Sequence, residues 1–132
     1  MADAGIRFKG RDFPELYANA LRGLNVLLFG SNRRPPRGGV RGGRRFPFRF
    51  RGDGPENVLV NLLSEVLFQV YHRKRRVASV FVRRAGRDLV DADLLLVPFR
   101  RPPRMEAKSV TYHNLRVEEE GGELSAAVVL DV

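Results

Sequence analysis

PENVLVNLLSEVLFQVYHR, residues Pro55–Arg73, is the most strongly periodic stretch of the chain. Val58, Leu59, Leu62, Leu63, Val66, Leu67, Val70 and Tyr71 recur at three- and four-residue spacing, which aligns them along one stripe of an α-helix. Asp53 stands upstream as a cap, and Glu56 lies in the first turn, where the helix dipole favours a carboxylate. His72 follows the stripe and is expected to interact with the C-terminal end of the helix. Upstream, Leu16, Ala20, Leu21, Leu24, Leu27 and Leu28 predict a second helix over Pro14–Phe29. Asp12 is its expected N-cap, Pro14 suits the first turn, and Gly30 suits the stop.

Outside the helices the chain alternates as strands do. Ala4, Ile6 and Phe8 share one parity while Asp3, Gly5, Arg7 and Lys9 share the other. Phe46, Phe48 and Phe50 alternate with Pro47, Arg49 and Arg51, and the proline marks an edge strand. Val77–Val82 and Leu89–Phe99 read as two strands with a turn at Ala85–Gly86. Lys108–Glu118 and Leu124–Val132 read as a final hairpin around Gly121–Gly122. The resulting order, β-α-β-α-β-β-β-β, predicts an α+β fold, a single domain over residues 1–132 with two helices packed on one face of a mostly antiparallel sheet. Between Arg33 and Arg45 the sequence RRPPRGGVRGGRR is rich in glycine, proline and arginine, so a mobile basic loop is expected at about residues 31–45.

The 132 residues are 43% hydrophobic, which suits a globular domain and argues against disorder. The absence of cysteine excludes a disulfide framework, a thiolate metal site and a cysteine nucleophile. No apolar run has the length of a membrane helix, and no basic-then-apolar leader follows Met1, so a cytoplasmic protein is expected. Twenty-four Lys+Arg against fifteen Asp+Glu leave a net charge of +9, which predicts attraction to polyanions such as RNA. The competing explanation is a compositional bias that writes arginine wherever a solvated charge is tolerated.

The chain opens on Ala2, Asp3, Gly5 and Ile6, carries Lys108, Val110, Thr111, Tyr112 and His113 in the run AKSVTYHNL, and closes on Asp131 and Val132. In these motifs it resembles the archease family, whose members open with an A-D-x-G-I strand, carry an I-K-A-[VI]-T-Y-H element and end on an aspartate followed by a β-branched residue. NLLSEVLF stands in the place of the family's leucine-rich helix with its internal glutamate, here Glu65. The middle third matches by pattern only. PFRRPPRM replaces the Gly-Glu and histidine that members carry before the I-K-A element, and the arginine surplus has no counterpart in the resemblance. The resemblance implies a noncatalytic accessory protein of the RtcB-type RNA ligase, which uses GTP and divalent metal to join RNA ends. The accessory role is to promote guanylylation and multiple turnover of the ligase in tRNA splicing and RNA repair.

The resemblance also implies a divalent-metal site, Ca²⁺ first, with Mg²⁺ or Mn²⁺ as other occupants, made by Asp3, Asp131 and Val132. The residues support it if the first and last strands are neighbours. Asp3 and Asp131 lie off the apolar parity of their strands, Val132 offers a carbonyl and a terminal carboxylate, and hard oxygen ligands suit such ions. The competing reading is two solvated aspartates at strand ends. Lys108 can contact a phosphate or a carboxylate of the ligase, or be an ordinary solvated strand lysine. The parity of apolar residues switches between Val110/Tyr112 and Leu115/Val117, which predicts a bulge or bend near His113 and Asn114 that either re-aims the His113 side chain toward the ligase or leaves it structural. Glu65 falls beside the apolar stripe, either as a partly buried carboxylate near the metal or as a helix-surface charge.

Arg33, Arg34, Arg37, Arg41, Arg44 and Arg45 are candidate RNA contacts. The interleaved Phe46, Phe48 and Phe50 could add base stacking, although three alternating phenylalanines fit a core face as well. A standalone basic RNA-binding module is therefore the alternative function. A small metal-dependent hydrolase lacks a recognisable nucleophile–base pair in the sequence.

Overall fold

The computed structural model describes residues 3–30 and 42–132. The longest helix, α2 (Pro55–Arg73), has the bounds that its periodicity predicts, and it buries Val58, Leu59, Leu62, Leu63, Val66, Leu67 and Val70. The other helix, α1 (Phe13–Phe29), buries Leu16, Tyr17, Ala20, Leu21, Leu24 and Leu28 on one stripe. Its start is defined by sequence-local bonds: Glu15 N–H donates to the Asp12 carboxylate at 2.9 Å, and Glu15 in turn pairs with Arg11. Gly30 ends it by donating its N–H to the Val26 carbonyl at 2.8 Å.

The start of α2 differs from the prediction. Asp53 does not cap it; the N-cap is Gly54, with no side-chain bond to the first turn. The Asp88 carboxylate, from a distant hairpin, instead accepts the Gly54 N–H at 3.0 Å, and Asn57 Oδ1 accepts the Asp53 N–H at 3.1 Å. A tertiary contact thus holds the residue at which the helix starts.

Seven strands complete the described residues: β1 (Asp3–Gly10), β2 (Arg44–Arg51), β3 (Arg75–Gly86), β4 (Leu89–Pro98), β5 (Ser109–Thr111), β6 (Glu118–Glu120) and β7 (Glu123–Asp131). The element order follows the predicted one, with the Lys108–Glu118 strand divided into β5 and β6. The division comes from a turn: Asn114 adopts φ 53°, and Leu115 N–H donates to the Tyr112 carbonyl at 3.0 Å. This turn is the bend expected near His113 and Asn114, and it accounts for the parity switch there. All ladders are antiparallel.

The strands form two sheets where one was expected. β1, β7 and β5 make the first, with β6 also on β7, and β2, β4 and β3 make the second. The helices bridge them, since α1 packs on β1 and β3 while α2 packs on β3, β5 and β2. The core lies between, where Ile6, Phe8, Val128 and Leu130 of the first sheet and Val90, Ala92, Leu94 and Leu96 of the second meet the helical stripes. Phe46, Phe48 and Phe50 pack half-buried against this core from the edge strand β2, so they serve the core and not a stacking platform. Tyr17 is fully buried and donates its hydroxyl to the Gly86 carbonyl at 2.7 Å. Burial, aided by the Asp88 and Glu56 charges, pushes its phenol well above the usual range and keeps it a donor.

The β3–β4 turn is Arg87–Asp88, two residues later than expected. Gly121 and Gly122 link β6 to β7 with φ 62° and 82°, the two positive values that a tight hairpin turn of this hand demands. Arg44 and Arg45 open β2 rather than close the basic loop, and Arg33, Arg34, Arg37 and Arg41 lie outside the described residues. Among the described residues no helix is long and apolar enough to cross a membrane.

Candidate metal centre and its surroundings

The outer ends of β1 and β7 carry the site. In the β1–β7 ladder Asp3 is the direct partner of Asp131. Side chains directly opposite in an antiparallel pair share a face, about 5 Å apart at Cβ. Here both lie on the outward parity, with Leu130 turned into the core beside Asp131. The β5–β7 ladder adds Ser109 as the partner of Asp131 on its other side, with Ser109 Oγ at 3.5 Å from Asp131 Oδ2. Asp131 thus sits on a central strand between a carboxylate and a hydroxyl, and Val132 follows it directly.

The register brings together two of the three residues named for the metal, places the third next in sequence, and adds Ser109. Sequence reasoning missed Ser109 because pairing between β5 and β7 has no local signal. Among the described residues neither Asp3 nor Asp131 forms an ion pair, so two negative charges face each other across a ladder without a protein cation between them. Like charges in that position destabilise a sheet. A hard divalent cation bound there would remove the repulsion, and the donors present, two carboxylates and a hydroxyl, are of the type Ca²⁺ and Mg²⁺ take. Among the described residues no three acidic or imidazole side chains converge on one point, so Glu65 is not a third direct ligand. It lies half-buried on α2 with no side-chain hydrogen bond or ion pair among the described residues.

Lys108 belongs to this end of the molecule. Its N–H donates to the Asp131 carbonyl at 2.7 Å, and its exposed side chain lines a cleft of about 410 Å³ with Ser109, Glu106, Leu67, Phe68 and Tyr71. The strap from Met105 to Lys108 is held by one hydroxyl. Tyr71 donates to the Met105 carbonyl at 2.8 Å and accepts the Ala107 N–H at 2.9 Å. Burial pushes this phenol up as well, which keeps it protonated and able to serve both bonds. Replacing Tyr71 with Phe is expected to cost about 2 kcal/mol, since both strap groups lose their partner. Hydrogen exchange should show the Ala107 and Lys108 amides opening faster while the centre of α2 keeps its protection.

His113 does not reach this centre. It sits in the turn beyond the far end of β5 from Lys108, exposed, with Nε2 at 3.3 Å from the Asn114 amide nitrogen. His72 stacks on Phe68 with ring centroids 5.0 Å apart, and the Arg73 guanidinium lies over the same ring, so His72 does not cap the helix carbonyls. The left-handed Lys74 closes α2 instead, its N–H on the Gln69 carbonyl.

Residues 1–132 match the sequence model of the archease protein family (MTH1598/TM1083). The chain belongs to the archease family. An archease of Thermoplasma volcanium is 29% identical over 135 residues, covering 99% of this chain and 93% of that protein. The solution structure of Methanobacterium thermoautotrophicum protein 1598 superposes with a TM-score of 0.70 at 23% identity, over 100% of this chain and 94% of the other. The crystal structure of an archease and possible chaperone from Thermotoga maritima gives 0.65 at 20%, over 99% and 91%. These two likenesses bear on the fold, which is that of other archeases from end to end. The two short motifs at the ends of the archease sequence are the ones that the β1–β7 ladder joins.

Proposed function

We propose that this chain is a noncatalytic, cytoplasmic protein cofactor of an RtcB-type, GTP-dependent RNA ligase, promoting its guanylylation and multiple turnover in tRNA splicing and RNA repair. Membership of the archease family over the full chain supports the reading, and the observation that carries it is the pairing of Asp3 with Asp131. In this reading Asp3, Asp131 and Val132 hold a divalent cation, Ca²⁺ foremost, with the Ser109 hydroxyl beside them. A bound cation supplies a fixed positive charge at the surface, able to attract carboxylate or phosphate oxygens of the ligase and its nucleotide.

The chain's own residues do the rest. Lys108 adds a mobile ammonium next to Asp131, on a strap that Tyr71 keeps in place. Fixed positive charge positioned where negative charge builds up during nucleotide transfer lowers the barrier without any bond to the accessory protein.

Guanylylation of purified ligase with labelled GTP, with and without this protein, tests the proposal. The expected result is faster label incorporation and more than one ligation per ligase molecule when the protein is present. No change in either would overturn the reading.

A further inference from the structure

The outward face of the β1–β7 ladder has a second feature at the end away from Asp3. Arg7 and Lys9 project from β1 on the same parity as Asp3, opposite Ala127 and Ser125 of β7. The segment between β5 and β6 stands beside them and contributes Asn114 and Arg116. Together these residues enclose a groove of about 480 Å³, with Glu118 as the acid in its lining. None of Arg7, Lys9 and Arg116 has a side-chain hydrogen bond or an ion pair among the described residues.

The contrast with the other sheet is informative. There Arg83 pairs with Asp91 and Asp93, Arg45 with Asp93, and Arg49 with Asp91, so much of the positive charge is already spent within the protein. The Arg45 and Arg83 guanidinium groups hold the Asp93 carboxyl below its usual range, as close pairing requires. Within the groove on the β1–β7 face three cations meet one acid, Glu118, while Asp3 and Asp131 lie at the far end of the ladder and Glu120 and Glu123 beyond the groove at the β6–β7 hairpin. The small side chains of Ala127 and Ser125 leave room between them, and Ser125 and Asn114 add neutral donors.

The wall of the groove is also fixed in advance. Glu56 Oε1 accepts the Val117 N–H at 3.2 Å, and Asn57 Nδ2 donates to the Tyr112 hydroxyl at 2.7 Å, so the start of α2 pins the segment that carries Asn114 and Arg116. Two planar guanidinium forks and an ammonium around a concave, partly polar floor match the oxygens of phosphate groups. A concave groove also suits a thin strand better than a flat protein surface.

We propose that this groove binds the phosphate backbone of single-stranded RNA, with Arg7, Lys9 and Arg116 as the contacting residues. The site lies apart from the Asp3–Asp131 pair and does not rest on the ligase reading, because it is measured with RNA alone. It also differs from the arginines of residues 33–45, which the sequence singles out.

The test is fluorescence anisotropy of the full chain with a labelled single-stranded RNA over a series of salt concentrations, with no ligase present. The Arg7→Ala/Arg116→Ala variant is expected to bind about tenfold more weakly. Its plot of log affinity against log salt should be shallower by about 1.4, from about 0.7 per lost phosphate contact. The Arg51→Ala/Arg84→Ala variant removes the same charge from a different groove, beside Arg49 and Asp91, and should change affinity less than twofold. Arg7→Lys/Arg116→Lys should retain most of the salt slope. Equal losses in both alanine variants would make binding a matter of overall charge and overturn the proposal. Unchanged RNA binding in Arg7→Ala/Arg116→Ala would overturn it too. If that variant instead loses only its effect on the ligase, the groove is a protein contact and not an RNA site.

Discussion

Gly10→Ala is expected to destabilise the protein by about 3 kcal/mol, because the added carbon collides with main chain that has nowhere to go. A Cβ at Gly10 would stand 2.3 Å from the Leu16 nitrogen, 2.7 Å from its Cα and 2.9 Å from the Glu15 carbonyl carbon. All three atoms belong to the first turns of α1, whose position is set by the Asp12 cap and by Leu16, a fully buried side chain. Relief requires moving the helix off β1, and that opens the core between them. For a chain of this size the melting temperature should fall by about 10 °C. Gly86 provides the comparison, since nothing lies within 4 Å of a Cβ built there. Gly86→Ala should stay within about 0.5 kcal/mol of the parent. Thermal denaturation of the two variants side by side checks both numbers, and equal melting temperatures would refute the tight β1–α1 contact.

If Asp3 and Asp131 hold the cation as proposed, the Asp3→Ala/Asp131→Ala variant is expected to stimulate ligase guanylylation about a hundredfold less, since removing direct ligands should cost at least as much as removing their supporting partners does. The fold should survive. Asp3 is exposed, Asp131 is half-buried, and both point away from the core. Without added metal the variant should be as stable as the parent or slightly more so, because two facing negative charges are gone. With Ca²⁺ the order reverses, because an ion that binds only the folded parent raises its melting temperature in proportion to occupancy. That reversal separates loss of a binding site from loss of structure. A variant that stimulates the ligase fully would detach the acid pair from the activity.

The features legible in the sequence were those with local causes. The stripes of α1 and α2, the Asp12 cap, the Gly30 stop and the β6–β7 hairpin all follow from residues within a few positions of one another. Asp53 misled because the helix begins one residue later, at Gly54, whose N–H is held by the carboxylate of Asp88, 34 residues further along the chain. Glu56 read as a dipole-compensating residue, whereas it also accepts the Val117 N–H across the fold. The site divides in the same way. The parity of Asp3 and of Asp131 showed that both face outward, but their direct pairing depends on register, which no local pattern encodes. Ser109 was invisible for that reason. His113 attracted notice through the parity switch, and the Asn114 turn is the bend that this switch signalled. The splitting of the strands into two sheets could not be read either, since alternation identifies a strand without naming its neighbour.

Calorimetric titration of the metal-free protein with Ca²⁺ at neutral pH, repeated on Asp3→Asn and Asp131→Asn, is the most direct measurement. One ion per chain on the parent, with affinity falling at least tenfold in each amide variant, is the predicted result. A parent that binds no ion, or amide variants that bind it as tightly as the parent, would contradict the joining of the first and last strands into a cation site.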